Sequence, residues 1–424
     1  MADLSIAPRV ADFTAGPARV LALPTGLRDV VSFRGSFRTG PDLAAGDDVV
    51  QDLVATLLDK GTRGRDRFAI AEALDGRGAR LSFYSDGLRM GVAGRCLRSD
   101  LDDVLALAAE QLREPAFDAD EVEKARRKAI ASVRRSTEST GAVASGAYSR
   151  RIYAPSHPNH ILSPEDEIAR LEAVTPEAVR AYHEAHVGSD GLLLTFVGDV
   201  EPERTAERVQ DALGDWAPHG REAAYAPEAS GDGAGREHVP MADKANLDVR
   251  IGHAVPIRRD DAAFLPLFAG VCILGGNFSA RLMQTVRDEQ GLTYGIGARL
   301  AGVGVEHDMD ARVQVSLSQE NLDRGLAATR EVVDAWASGG VTPEEVARTQ
   351  TTLTGQHAVA LATTGGLAAR LLVNAERGFA VEYLDEYPER VRALTPEAVT
   401  EAVRAHVRPD RFATVSAGTL ADVG

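Results

Sequence analysis

Hydrophobic and polar residues alternate in two short runs near the start of the chain, ARVLALP and VVSFRGSFR within residues 18–38, with a turn from Pro24 to Gly26 between them. Alternation with period two predicts strands. The period then lengthens. Over residues 47–58, Val50, Leu53, Val54, Leu57 and Leu58 fall on one helical face. Further helices are predicted over 66–74, over 97–112 with Ser99 as N-cap, and over 119–138, with strands between residues 80 and 93. A loop rich in Gly, Pro and His leads to a helix opened by Thr175 and Pro176, and then to the buried strand GLLLTFVGD.

Part of this pattern occurs twice. VTPEAVRAYHEAHV, residues 174–187, returns as LTPEAVTEAVRAHV, residues 394–407, so Thr395 stands 220 residues after Thr175. Gly198 and Gly418, at the end of the following strand, keep the same offset. Upstream, DLDDVLALAAEQL aligns with NLDRGLAATREVV, and DADEVEKARR with TPEEVARTQT, with small shifts. Repetition on this scale predicts an α+β fold of two homologous domains, each a mixed sheet with helices. Residues 219–238, HGREAAYAPEASGDGAGREH, show no periodicity and read as a linker. The expected division is an N-terminal domain over 1–217, a linker over 218–240 and a C-terminal domain over 241–424. Two such halves suit a clamshell that encloses a cavity.

Composition narrows the function classes. A chain of 424 residues exceeds what one core supports, and 44% hydrophobic with 26% charged residues is ordinary for a soluble globular protein. The net charge of −16 argues against nucleic acid and anionic membranes as partners, and it suits a chamber for basic or neutral peptides. Cys96 and Cys272 lie in apolar runs, as buried free thiols of a reducing compartment do. The first residues lack the basic start and apolar core of a signal peptide, and no apolar run approaches a membrane span, so a cytoplasmic location is expected.

The most specific arrangement of functional side chains is NFSARLMQTVRDEQGLTYGIGARL, residues 277–300. Leu282, Met283 and Val286 recur at helical spacing, and Gly291 ends that helix as a left-handed cap. A strand follows, in which alternation puts Tyr294 and Ile296 on one face and Thr293 on the other. A tight turn at Gly291 can thus fold Arg287 against Tyr294. Spacing alone leaves two readings open. A guanidinium beside a phenol can grip a peptide carbonyl or stabilise an oxyanion. Alternatively, Arg287 complements the helix C-terminus and Tyr294 packs with its hydroxyl satisfied locally.

The stretch GGNFSARLMQTVRDEQGLTYGIGA resembles the C-terminal-domain signature of the insulinase/pitrilysin-type zinc metallopeptidases, the group that includes the mitochondrial processing peptidases. Ser279, Arg281, Leu282, Arg287, Gly291, Leu292 and Tyr294 carry the match, which extends through Gly35-Ser36, Lys60-Gly61-Thr62 and Val197-Gly198-Asp199. The resemblance implies a two-domain clamshell in which Arg287 and Tyr294 bind substrate. In active members an HxxEH motif precedes the Lys-Gly-Thr step, with two histidines binding zinc and a glutamate acting as base. Here DLVATLLDKGT places Asp52 and Thr56 where the histidines belong and Ala55 where the base belongs. The later helix offers Ala131, Ser132 and Val133 near the position of the third ligand, so that carboxylate is absent as well.

No zinc is therefore expected on this chain, and no peptidase activity from it alone. His183 and His186, spaced i, i+3, read as helix-terminal residues favourable to the dipole. His157 and His160, in a loop similar to a family loop not used for metal, receive no ligand role. The expected function is a non-catalytic, substrate-binding subunit of a zinc metallopeptidase that degrades or processes unfolded peptides. An HxxEH-bearing family member would supply zinc in a heterodimer, with a homodimer as the other assembly. The alternative is a catalytically dead peptide-binding or scaffold protein of the same fold.

Overall fold

A computed structural model describes residues 5–229 and 233–420. Its first six strands are β1 (Ala11–Ala15), β2 (Ala18–Pro24), β3 (Val30–Arg38), β4 (Arg80–Ser85), β5 (Arg89–Leu97) and β6 (Leu193–Gly198). They form one mixed sheet in the order β1-β2-β6-β3-β5-β4. The successive strands β2 and β3 are not neighbours, because β6 lies between them, parallel to β2 and antiparallel to β3. The strand LLTFVG is buried along nearly its whole length, which suits the middle of a sheet covered on both faces.

Five further strands are β7 (Gly235–Pro240), β8 (Asn246–Val255), β9 (Thr293–Ala301), β10 (Met309–Ser318) and β11 (Ala413–Gly418), in the order β7-β11-β8-β10-β9. Matched to β2-β6-β3-β5-β4, the two sheets agree strand for strand, including one parallel pair, β11 with β7. The repeat extends to detail. Helices Pro176–His186 and Pro396–His406 begin alike: the Thr175 and Thr395 hydroxyls accept the N–H of Ala178 and Ala398 at 3.1 and 3.2 Å. Gly198 and Gly418 both take positive φ, +138° and +149°.

The compact units are not the contiguous halves expected from the linker. One takes the chain up to Ala131 with Ile168–Tyr225 and Gln356–Tyr387. The other takes Ser132–Glu167, the stretch from Ala226 to Gly355, and the chain from Pro388 onward. The reason is reciprocal: helix Thr140–Ile152 packs on β11 and β8, whereas helix Thr364–Glu376 packs on β6 and β3. Ala147, Tyr148 and Ile152 bury against Ala413 and Val415, while Ala368, Leu371 and Ala375 bury against Leu21, Leu23 and Val197. Each fully buried large apolar side chain contributes about 1.5–3 kcal/mol, so the sheet a helix buries against, and not its place in the chain, decides the unit it joins. Polar bonds align the helices. Thr195 donates to the Ala368 carbonyl at 2.9 Å, and Thr140 donates to Asp248 at 2.6 Å.

Other local differences have physical causes. Helices Thr140–Ile152 and Pro164–Ala173 occupy the region expected as loop, and β1 was not expected at all. The sequence TGAVASGAYSRRI has too many small residues to show a clear apolar stripe, and burial on the second sheet stabilises it instead. Ser99 is not an N-cap: it lies inside a 3₁₀ turn, Arg98–Asp100, and the next helix starts without a side-chain cap bond. Cys96 and Cys272 are both free, and burial pushes each thiol up to about 12. In the second unit Asp310, fully buried, accepts the Tyr153 hydroxyl at 2.7 Å and a forked pair of bonds from Arg312. No single helix among the described residues is long and apolar enough to cross a membrane.

Candidate functional site

Arg287 and Tyr294 are held on a rigid frame in the second unit. Helix Phe264–Gly275 is apolar and largely buried, and its last residue touches β9 so closely that a Cβ on Gly275 would lie 2.2 Å from the Ala298 nitrogen. Only glycine permits that approach. The chain then turns at Asn277, whose Oδ1 accepts the Ser279 N–H at 2.9 Å and the Ser279 hydroxyl at 2.8 Å. Arg281 forks onto Glu345, with two bonds of 2.6 Å, and donates to the Gly340 carbonyl at 2.8 Å. Burial alone would raise the Glu345 acid, but the Arg281 bonds hold it below the usual carboxylate range. Leu282 is fully buried. Ser279, Arg281 and Leu282 therefore anchor the segment.

The next turn takes the wide π form over Met283–Glu289, with the Gln290 N–H reaching the Thr285 carbonyl at 3.2 Å. Such turns recur at functional sites because they redirect one side chain within a packed helix. Met283 and Val286 stay in the core. Gly291, at φ +63°, lets the Leu292 N–H return to the Val286 carbonyl at 3.0 Å. The helix ends there, as the sequence predicts.

β9 opens with a bulge. Thr293 pairs with Leu317 and Gly295 with Ser316, so Tyr294 is left without a partner between them. The Thr293 hydroxyl accepts the Gly295 N–H at 3.1 Å and donates to the Ser316 carbonyl. The expected alternation breaks at this point: Ile296 is 6% exposed, whereas Tyr294 is 89% exposed. A bulge adds one residue to one strand and re-aims its side chain, a change that period-two counting misses. The outcome is that Arg287 and Tyr294 meet. The Arg287 Cζ lies 5.4 Å from the Tyr294 ring centroid and 5.4 Å from that of Phe278, a residue that spacing arguments did not single out. The charged neighbour of Arg287 among the described residues is Asp288 at 3.9 Å, beyond hydrogen-bond reach. Tyr294 is thus not packed, and the Arg287 donors are available to an acceptor. An aromatic residue in an otherwise polar Gly-Gly-Asn turn was the one signal that pointed to Phe278.

The metal-motif positions of the first unit are built differently. Asp52 and Thr56 lie exposed one turn apart on helix Asp47–Leu57, and Ala55 is buried. The Ser85 hydroxyl donates to Asp52. Desolvation raises the Asp52 acid, Asp48 and Asp86 add to the shift, and the Ser85 bond opposes it. Ala131, Ser132 and Val133 lie on helix Ala119–Ser136 and bring no carboxylate. This donor set of one engaged carboxylate and one hydroxyl does not fit zinc. No group of three His, Cys, Asp or Glu among the described residues is placed to hold a metal ion.

The histidines serve packing. His183 Nε2 meets the Leu112 carbonyl at 2.7 Å, and burial lowers its pKa, so a neutral ring replaces the charge that the helix-dipole reading needs. His186 stacks on Tyr182 at 4.2 Å, and its Nδ1 meets the Thr39 carbonyl at 2.9 Å. Both histidines stand in the last turn of helix Pro176–His186 as expected, and for His183 the buried carbonyl contact replaces the charged-ring reading. His157, 1% exposed, stacks on Tyr153 at 4.3 Å, and its Nδ1 accepts the Asn159 N–H at 3.0 Å. Burial, with the His307 charge next in weight, pushes His157 down to about 4. His160 Nδ1 lies 3.1 Å from the Tyr153 carbonyl.

Comparisons with known proteins agree with this architecture. Residues 51–165 match the family model described as insulinase (peptidase family M16), and residues 173–353 match the one described as peptidase M16 inactive domain. A protein described as an uncharacterized zinc protease of Streptomyces coelicolor is 22% identical over 92% of this chain and 87% of its own length. A non-peptidase homolog of Helicobacter pylori is 22% identical over 73% of this chain and 71% of its own. The crystal structure of a peptidase M16 inactive domain from Pseudomonas fluorescens superposes with a TM-score of 0.88 at 22% identity, covering 97% of this chain and 98% of that one. With both characteristic segments of the family matched in order along most of its length, this chain belongs to the M16, or insulinase, peptidase family.

Proposed function

We propose that this protein is a non-catalytic, substrate-binding subunit of a zinc metallopeptidase that degrades or processes unfolded peptides. An HxxEH-bearing relative supplies zinc and the general base, and this chain supplies Arg287 and Tyr294 to complete the site. One observation carries the reading: the half-buried Arg287 meets the exposed Tyr294, in a chain whose residues at the expected metal positions are Asp52, Ala55 and Thr56. Folding alone does not require that combination. A guanidinium and a phenol at that spacing bind a peptide carbonyl and stabilise the charge that develops on it. β9, which begins at this pair, is terminal in its sheet, so an extended peptide can add beside it through main-chain hydrogen bonds. The partner is a family member in a heterodimer, and the location is cytoplasmic.

The second reading, a dead peptide-binding or scaffold protein, is favoured by the relative named as a non-peptidase homolog. Mixing this protein with an HxxEH-bearing family member from the same source, and assaying a quenched unstructured peptide, separates the two. Cleavage that needs both chains and drops for Arg287→Ala and Tyr294→Phe supports the subunit role. Cleavage indifferent to those changes favours the scaffold, and zinc near one per chain with activity from this chain alone overturns both.

A further inference from the structure

Phe278 is held where it is by the backbone of its turn rather than by its own packing. Ser279 bonds to Asn277 fix that turn, and the Phe278 ring remains 73% exposed. Among the described residues only Tyr294, at 89%, and Val359, at 75%, are large apolar side chains more exposed than this. Phe278 and Tyr294 flank the same guanidinium, each ring centroid 5.4 Å from the Arg287 Cζ. Ring contacts hold a guanidinium without consuming its N–H donors, which stay directed at an acceptor.

We propose that Phe278 is a specificity-determining residue of this clamp, selecting extended peptides that carry an aromatic or large aliphatic side chain beside the carbonyl bound by Arg287. The inference rests on the clamp reading above. In an extended peptide the side chains next to a carbonyl stand away from the backbone on alternate sides. A carbonyl seated at Arg287 therefore brings one neighbouring side chain to the exposed rings. An apolar group there removes ring surface from water, whereas a small or polar one leaves the rings wet.

The test uses the full chain and two fluorescein-labelled unstructured peptides that differ only in one central residue, Phe or Ser, with affinity read by anisotropy. The expected result is a preference for the Phe peptide of about fivefold or more, the size of one added ring contact. Phe278→Ala should lose that preference, Phe278→Tyr should keep it, and Arg287→Ala should weaken both peptides alike. A wild-type protein without preference, or a preference that survives in Phe278→Ala while Arg287→Ala still weakens binding, overturns the role of Phe278 and leaves the clamp standing. Wild-type binding that is absent, or indifferent to Arg287→Ala, overturns the clamp itself and the Phe278 role with it.

Discussion

Helix Asp47–Leu57 follows β3 in the first unit as helix Phe264–Gly275 follows β8 in the second, and the sheets they cover have the same strand order. The chemistry on the two frames has diverged. The first presents Asp52 and Thr56, a carboxylate tied to Ser85 and a hydroxyl, at the positions where the family resemblance implies a metal motif in active members. The second spends a close glycine contact, a π turn and a bulge on putting one cation between two exposed rings. The shared strand order and the matching Thr175 and Thr395 caps rest on backbone pairing and local hydroxyl bonds, so the side chains carried on each frame are free to differ. Backbone irregularities and exposed rings are another matter, since each opposes folding and persists only under some other constraint.

The sharpest contrast lies between two arginines of the second unit. Arg312 is buried on the fully buried Asp310, so Asp310→Ala should strand a charge and lower unfolding free energy by about 3–5 kcal/mol in denaturant titration. Arg287→Ala should leave that titration almost unchanged, yet, under the proposed subunit role, cut kcat/KM of the mixture with an HxxEH-bearing relative by roughly 10²–10³, the usual loss for one donor to a developing oxyanion. Asp52→Ala in the same assay should alter the rate less than about twofold, since surface changes away from a site are close to neutral. A large drop there would return a catalytic part to the first unit.

A pH scan probes the second unit further. His157 is held down to about 4, with Tyr153, His307 and Asn159 around it, so the unfolded chain takes up its proton first as pH falls. Its contribution to stability is present above the ordinary value of 6.5, is lost between 6.5 and about 4, and changes no further below. His157→Gln should flatten the stability profile in that window, and an unchanged slope would remove His157 from the account. The smallest effects test the repeat: Thr175→Ala and Thr395→Ala should each cost about 1 kcal/mol, and costs that differ widely would show that one cap has been taken over by other contacts.

The Thr-Pro caps, the buried β6 strand and the left-handed Gly291 were legible because each rests on neighbours within a few residues, where propensity and period act directly. Helix Thr140–Ile152 was not, since its small residues show no stripe until β11 and β8 cover them. The expected face of Tyr294 failed for a similar reason: the bulge is set by the register of β9 against β10, which Thr293 locks through the Ser316 carbonyl.

By itself, then, the amino-acid order determined the duplication, the α+β class, the presence of Asp52, Ala55 and Thr56 on one helix, and the spacing that lets a turn at Gly291 bring Arg287 to Tyr294. Only the tertiary structure decided which helix covers which sheet, that Tyr294 faces solvent, and that Phe278 joins it at Arg287. Those three outcomes depend on contacts between segments far apart in the chain, and local periodicity carries no information about such contacts.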